Sequence, residues 1–487
     1  MTRGCARLGG SKTSPDPADG LHPLQRAVWC ALEPYQERRI NVAFSGGNDS
    51  TALLSLVASL RESFGLRVRA LHVNHAWTPE SSEWQTHCEK FCRELEVPLK
   101  SFRLEHRDDG GRRGRADKFG EAGAREQRYQ WFSSVCGAED LLVTAHHLED
   151  QGETLILRLM RGSAIRGLGA MRPAQHLYGM RVLRPLLDVS KEQLEAWVTG
   201  QDLDIVCDAS NFDESYDRNL VRRRVFPLLE ARWPNSAKAL ARSAGYFQEV
   251  QSILDGVAAE DLARCKLPRG TSVLWDLGSV CKFQLLQLDV PRLLNLLRYW
   301  VDLNGLQAPS ERALREFVRQ LGSGGRSASP LLRVGAAEFR CHRNRIFLVP
   351  APASTAPTPA EGQLWQGPEL RVQGPDIALM TRTIQTRGLS AELFRTGTVE
   401  LRWRRGQQTV MPIGRGRHRH SLRKILQEAD LPPWQRERIP LVFIDGQFAA
   451  MPQVVVDESC IAGSDEAAVE IQIHDLRKER WQETGPL

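Results

Sequence analysis

Six consecutive residues, Ser45-Gly46-Gly47-Asn48-Asp49-Ser50, have the types and order needed to hold a phosphate. Paired glycines let a backbone come close to a ligand. A helix starting directly after them presents unpaired N–H groups and the positive end of its dipole to an anion. The Ser45, Ser50 and Thr51 hydroxyls add donors around Asn48, and Asp49 sits where it can hold a metal ion. No Gly-Lys-Ser or Gly-Lys-Thr ending follows, so the lysine that serves the β and γ phosphates in a Walker loop is missing. The spacing is not Gly-x-Gly-x-x-Gly either.

A second group follows the apolar run Leu141 to Ala145: His146-His147-Leu148-Glu149-Asp150-Gln151-Gly152-Glu153-Thr154. On a helix His146, Asp150 and Glu153 fall at i, i+4 and i+7, so one imidazole and two carboxylates are expected along one side. The acid-rich set suits a hard cation better than zinc, which makes Asp49 and Asp150 the candidate ligands for Mg²⁺ and His146 a candidate for proton or phosphate work. Upstream, Glu121 to Tyr129 places Arg125 and Arg128 three apart on one helical face, within reach of a phosphate.

The elements that must position these residues alternate between strand and helix. A helical pattern runs from Leu21 to Glu37, then apolar strands are expected at Ile40 to Phe44, Leu66 to Val73, Val97 to Leu104 and Leu141 to Ala145, with a helix over Ser81 to Glu94 between the second and third. This is the form of a doubly wound parallel sheet, in which ligands lie beyond the carboxyl ends of the strands. From Pro234 to Leu321 the period is helical, with Ala237 to Asp255 and Val290 to Asn304 the long helices and strand character only around Ser272 to Asp276. Leu331 to Val349 reads as a β-hairpin, and Pro350 to Pro359 is a linker rich in Pro, Ala, Ser and Thr. The organisation expected is a disordered stretch 1–20, an α/β domain 21–225, a mainly helical domain 226–349, a linker 350–362 and a small α/β or α+β domain 363–487.

A chain of 487 residues with 41% hydrophobic composition can bury more than one core. No apolar run approaches the roughly 20 residues of a membrane helix, and no secretory signal is apparent, which points to the cytoplasm. Ten cysteines lie at irregular intervals with no Cys-x-x-Cys, excluding a zinc ribbon or an iron–sulfur site of that type. The net charge of +6 conceals local patches. One is Arg222-Arg223-Arg224. Another is Leu401 to Lys424, which contains Arg402, Arg404, Arg405, Arg415, Arg417, Arg419, Arg423 and Lys424, interleaved with Trp403, His418 and His420 and free of acids. Such stretches neutralise phosphates and stack on bases, as RNA-binding segments do. The loop Glu105 to Lys118, with its Gly-Gly-Arg-Arg-Gly-Arg core, is flexible and basic in composition.

The Ser-Gly-Gly-x-Asp-Ser sequence resembles the pyrophosphate loop of ATP pyrophosphatases, and the ordered set of motifs resembles one family among them, the tRNA(Ile)-lysidine synthetases. The matching pieces are Ser45 to Ser50, Leu71-His72-Val73-Asn74-His75, Glu121 to Tyr129, His146 to Thr154, Arg161-Gly162-Ser163 with Gly167-Leu168, Asp208-Ala209-Ser210-Asn211, Arg218-Asn219, and the C-terminal Ser421 to Glu428 with Pro432-Pro433-Trp434 and Arg438 to Leu441. Three positions depart from the family pattern: Glu149 replaces an aspartate, Ala76-Trp77-Thr78 replaces Gly-Leu-Arg, and Gln407 follows Arg405-Gly406.

The resemblance implies a two-step ligation that uses ATP and Mg²⁺. The substrates are free L-lysine and the isoleucine tRNA with a CAU anticodon, and no protein partner is indicated. It implies ATP binding by Ser45, Gly46, Gly47, Asn48, Asp49 and Ser50, and catalytic roles for Asp49, Arg125, His146, Asp150 and Glu153. The helical and C-terminal domains would then contact tRNA. Two rivals follow from the same loop: a tRNA thiolation enzyme, disfavoured by the missing Cys-x-x-Cys, and a non-catalytic tRNA-binding protein, disfavoured by the intact loop and carboxylates.

Overall fold

The computed structural model describes residues 20–75, 81–104, 121–137, 139–206, 213–268, 274–323, 329–351, 363–372, 376–385, 387–404, 408–412, 418–463 and 466–478. The N-terminal stretch, the Glu105 to Lys118 loop, Ala76 to Thr78, Asp208 to Asn211, Arg405, Gln407, Arg415 and Arg417 therefore lie outside the described residues, apart from Gly20. By its contacts the chain divides into two units, residues 1–252 and 253–487.

The first unit is built on a six-stranded sheet. In chain order its elements are α1 (Pro23–Leu32), β1 (Arg39–Ala43), α2 (Asn48–Phe64), β2 (Arg67–Asn74), α3 (Ser81–Glu94), β3 (Leu99–Arg103), α4 (Glu121–Val135), β4 (Leu141–Val143), α5 (Leu148–Met160), α6 (Ile165–Leu168), β5 (Ala174–Leu177), β6 (Met180–Leu183), α7 (Lys191–Gly200), α8 (Asp217–Leu220), a π turn (Val221–Val225), α9 (Phe226–Arg232) and the start of α10 (Ser236–Cys265). The strand order is β3-β2-β1-β4-β6-β5. All neighbours are parallel except the β5–β6 edge pair, so the sheet is doubly wound as expected. The order reverses between β1 and β4, and that switch point opens a crevice at the carboxyl ends of both strands.

Apolar runs account for this placement. Ile40, Val42, Leu53, Leu56 and Leu60 pack with α1 and α7 residues on one face, while Leu71, Val73, Phe132, Leu142 and Val182 form a second cluster on the other. Strands buried on both faces read as continuous hydrophobic runs, which is why these were visible in the sequence. β4 is shorter than the run that encodes it. Its pairing ends at Val143, and Thr144 and Ala145 turn into the crevice.

In the second unit α11 (Lys282–Leu285), α12 (Val290–Leu303) and α13 (Glu311–Ser323) pack beside an antiparallel sheet of order β7-β10-β9-β8, formed by β7 (Ser279–Cys281), β8 (Leu331–Val334), β9 (Ala337–His342) and β10 (Arg345–Pro350). The expected hairpin is thus a three-strand meander, because Gly335 and Arg343 at positive φ supply two turns in place of one. Of the strand expected near Ser272 to Asp276, residues 272–273 lie outside the described residues and 274–276 are not strand, while Ser279–Cys281 forms one. Among the described residues beyond 362, three further antiparallel sheets of five, four and two strands carry short helices, an α+β arrangement. Among the described residues no helix is long and apolar enough to cross a membrane.

Candidate active site

The glycine turn leaves β1 at Phe44 and enters α2 at Asn48. Gly46 has φ +84°, and a Cβ there would lie 3.0 Å from Cys88 Sγ and 3.3 Å from Val206 Cγ2, so conformation and space both require glycine. The turn is braced by its own hydroxyls. Ser45 N–H donates to Ser50 Oγ (3.2 Å), Ser50 Oγ donates to Gly47 O (3.0 Å) and Thr51 Oγ1 donates to Gly46 O (3.2 Å). Gly47 caps α2 without a side chain, which leaves the first amides of a 17-residue helix facing the crevice. This is an anion cradle without a lysine.

The histidine and carboxylate group differs from its expected form. The helix starts at Leu148, with His147 as N-cap and Asp150 closing a capping box by accepting from His147 N–H (3.1 Å). His146 therefore sits before the helix and shares no helical face with Asp150 and Glu153. Its Nδ1 lies 2.9 Å from Thr144 Oγ1. Burial, together with the charges of Arg184, Arg218 and Arg125, outweighs Asp150 and pushes the His146 pKa down to about 3, so the imidazole is neutral.

Asp150 and Glu153 do share a face, but arginines occupy them. Arg218 donates to Asp150 Oδ1 (2.8 Å) and Glu153 Oε2 (2.9 Å), while Arg222 donates to Asp150 Oδ1 (2.9 Å) and Glu153 Oε1 (2.6 Å). With Oδ2 bound to the His147 amide, both Asp150 oxygens accept hydrogen bonds, so Asp150, expected as a Mg²⁺ ligand, is engaged by protein groups here. Arg222, a candidate tRNA contact by sequence, gives its guanidinium to this buried pair while still lining the crevice. Gly152 makes the approach possible, because a Cβ there would lie 2.5 Å from Phe226 Cζ, one turn beyond Arg222.

His147, which sequence reasoning passed over, is the residue at the centre. It is 1% exposed, with Nδ1 2.8 Å from Glu149 Oε2 and Nε2 3.6 Å from both Asp49 Oδ2 and Asp150 Oδ2. Burial opposes its charge, yet the surrounding carboxylates prevail and raise its pKa to about 10. Asp49 is held below the usual carboxylate range despite its burial, chiefly by His147. Glu149, further fixed by the Lys191 N–H (2.9 Å), is thus an orienting partner of the histidine. Among the described residues no cluster of three or more His, Cys, Asp or Glu could hold a metal. Asp49 alone, one-third exposed beside the anion cradle, fits a Mg²⁺ ion that takes its other ligands from phosphate and water.

The crevice has a volume of about 980 Å³ and reaches from α2 to α4 on one side and α7 on the other. Arg125 lines it, its guanidinium 5.1 Å from the centre of the Tyr129 ring, and Arg128 lies 3.2 Å from His75 Nε2 at the end of β2. Cys88 and Cys92 beneath the loop are fully buried, and burial pushes both thiols up to about 12, far from the thiolate that sulfur transfer needs. Of the other basic candidates, Arg223 and Arg224 share Glu214, and Arg402 pairs with Glu400 and lies over Phe443. Arg419, Arg423 and Lys424 are exposed, while Arg404 is half-buried.

A doubly wound sheet with a lysine-free phosphate turn at its switch point defines a PP-loop domain, and residues 21–229 match the family model of that description. Residues 283–347 match the TilS substrate binding domain and residues 399–473 the TilS substrate C-terminal domain. The tRNA(Ile)-lysidine synthase of Methylococcus capsulatus is 36% identical over 84% of this chain and 90% of its own length. Those of Shigella flexneri and Pseudomonas aeruginosa are each 35% identical, over 87% and 89% of this chain and 94% and 93% of their own. The chain belongs to the tRNA(Ile)-lysidine synthase family.

Proposed function

We propose that this chain joins free L-lysine to C2 of the wobble cytidine of the CAU-anticodon isoleucine tRNA, using ATP and releasing AMP and pyrophosphate. The observation that carries this reading is the lysine-free anion cradle at Ser45–Ser50, opening on a crevice large enough for a nucleotide and a second group, in a chain of this family. ATP use follows from the PP-loop domain itself.

In the first step the cytidine C2 oxygen attacks the α-phosphorus and pyrophosphate leaves. Its growing charge falls to the α2 N-terminal amides, which the Ser45 and Ser50 hydroxyls brace from within the turn and which need no reorganisation. Arg125 binds the α-phosphate. Asp49 would hold Mg²⁺, which when bound neutralises phosphate charge and polarises the reacting phosphorus. His147 keeps the Asp49 carboxylate ionised and aimed. In the second step the lysine amine attacks C2, AMP leaves with the former cytidine oxygen, and the amine loses its extra proton. Burial first, and then the charges of Arg184, Arg218 and Arg125, make His146 too weak a base for that proton before substrate binds. Phosphate binding to those arginines raises its basicity and makes it the acceptor.

The test incubates the protein with ATP, lysine and an unmodified isoleucine tRNA transcript, then reads AMP release and the mass of the wobble nucleoside. Lysine-dependent AMP release with the matching mass gain is expected. AMP release without mass gain, or neither, overturns the reading.

A further inference from the structure

Three arginines lie close to one another beside His146 and the end of β6 with no carboxylate paired to them, and of the three Arg125 lines the crevice. Arg184 directly follows β6, at the carboxyl edge of the sheet, and is only 3% exposed. Its Nη1 donates to Arg172 O (2.8 Å) and Gln175 Oε1 (3.4 Å), while its buried Nε–H meets no acceptor. Arg158, half-buried on α5, donates to the carbonyls of Gly167 (2.5 Å) and Ala170 (2.8 Å). Arg125 reaches in from α4 over Tyr129. Among the described residues none of the three forms an ion pair with Asp or Glu. Arg218 and Arg222 nearby show the contrast, since two buried carboxylates neutralise them.

The three charges act on one another. Burial first, and then the charge of Arg125, depresses Arg158, while burial and the charges of Arg125 and Arg158 depress Arg184 despite help from Tyr129. Buried cations without a counter-charge are costly and persist where a ligand supplies the anion. Arg184 follows β6, two strands and so about 10 Å from β1 at ordinary strand spacing, which sets it apart from the loop that would hold the pyrophosphate portion of ATP.

We propose that Arg184 and Arg158 form a phosphate subsite separate from the Ser45–Ser50 loop and from the α-phosphate contact of Arg125, and that it receives a backbone phosphate of the RNA beside the target cytidine. This rests on the reading of the chain as an RNA-modifying ligase. A guanidinium fork at the sheet edge would seat the strand so that the base, extruded past His146, meets the nucleotide. The α-phosphate of ATP is the other source of the same chemistry.

The experiment measures equilibrium binding of the isoleucine tRNA transcript and, separately, of ATP to full-length wild type, R184M and R184K over a range of salt, with thermal melting as the fold control. For R184M the transcript Kd should rise about tenfold, and the slope of log Kd against log salt should fall by roughly one, as for one lost phosphate contact. R184K should keep the slope and lose only part of the affinity, which a purely structural arginine would not do. ATP affinity should be unchanged. A tenfold loss of ATP affinity with transcript binding intact would overturn the RNA assignment and leave a nucleotide subsite. Unchanged binding of both ligands by folded R184M would overturn the subsite. R158M reads the same outcomes if R184M does not fold. Wild-type ligation run in parallel separates the two proposals, since its absence overturns the function and leaves the binding result to stand alone.

Discussion

The Nε2 of His147 lies 3.6 Å from Oδ2 of Asp49, joining the start of α5 to the start of α2 across the switch point of the sheet. An imidazolium there fixes the carboxylate on which the nucleotide site depends. Replacing His147 by Gln keeps a polar side chain but removes the charge. Turnover should fall on the order of a hundredfold, with the Mg²⁺ requirement shifted to higher concentration, because Asp49 loses its principal partner. Activity titrated against Mg²⁺ checks this.

The same pair sets a pH dependence. The folded-state pKa of His147 is raised from 6.5 to about 10. Its contribution is therefore fully present below the unfolded value and is lost as pH rises from about 6.5 through about 10. The amount is on the order of a few kcal/mol. Denaturant melts of wild type should weaken over that window, and the His147→Gln variant should show less of this slope.

Glu153 is 1% exposed and bound by Arg218 and Arg222. Glu153→Ala leaves two guanidinium groups beside a single carboxylate and should destabilise the protein by about 3–5 kcal/mol. Asp49→Ala should abolish AMP formation and cost less stability than Glu153→Ala, since His147 keeps Glu149 and Asp150 beside it. Comparing melting with turnover for the two variants separates the structural carboxylate from the nucleotide-site one.

Gly46→Ala places a side chain at φ +84° and within 3.0 Å of Cys88 Sγ. The left-handed conformation alone costs about 1–2 kcal/mol, and the contact adds to it. The double variant Gly46→Ala with Cys88→Ala should regain the contact portion only. Its ATP affinity should remain below wild type, measured by equilibrium binding.

Arg419, Arg423 and Lys424 are exposed in the acid-free C-terminal stretch. Each change to Ala should weaken transcript binding and reduce its salt slope by roughly one, leaving ATP affinity untouched. Filter binding at several salt concentrations reads both.

What could be read from the sequence was local. The run from Ile40 to Leu54 encodes strand, glycine turn and helix without outside help, and Ser81–Glu94 forms the helix that its serine start and spacing indicate. The pairing of Asp150 and Glu153 with Arg218 and Arg222 joins partners more than 60 residues apart in sequence, which no local pattern connects. His147 was recoverable. Asp150 three residues later is the acceptor of a helix cap, which would have started the helix at Leu148 and set His146 outside it. No local pattern gave Arg184 a role, since only the ordering of β1, β4 and β6 brings the end of β6 to the carboxyl edge near the site.

Transfer of the cytidine C2 oxygen to AMP distinguishes base adenylation from every other use of ATP by such a site. An isoleucine tRNA transcript carrying a heavy oxygen isotope at C2 of the wobble cytidine is incubated with the protein, ATP and lysine, and the released AMP is weighed by mass spectrometry. AMP carrying the heavy isotope, formed in step with lysidine, is the predicted result. Unlabelled AMP, with the isotope retained in the RNA, would contradict it.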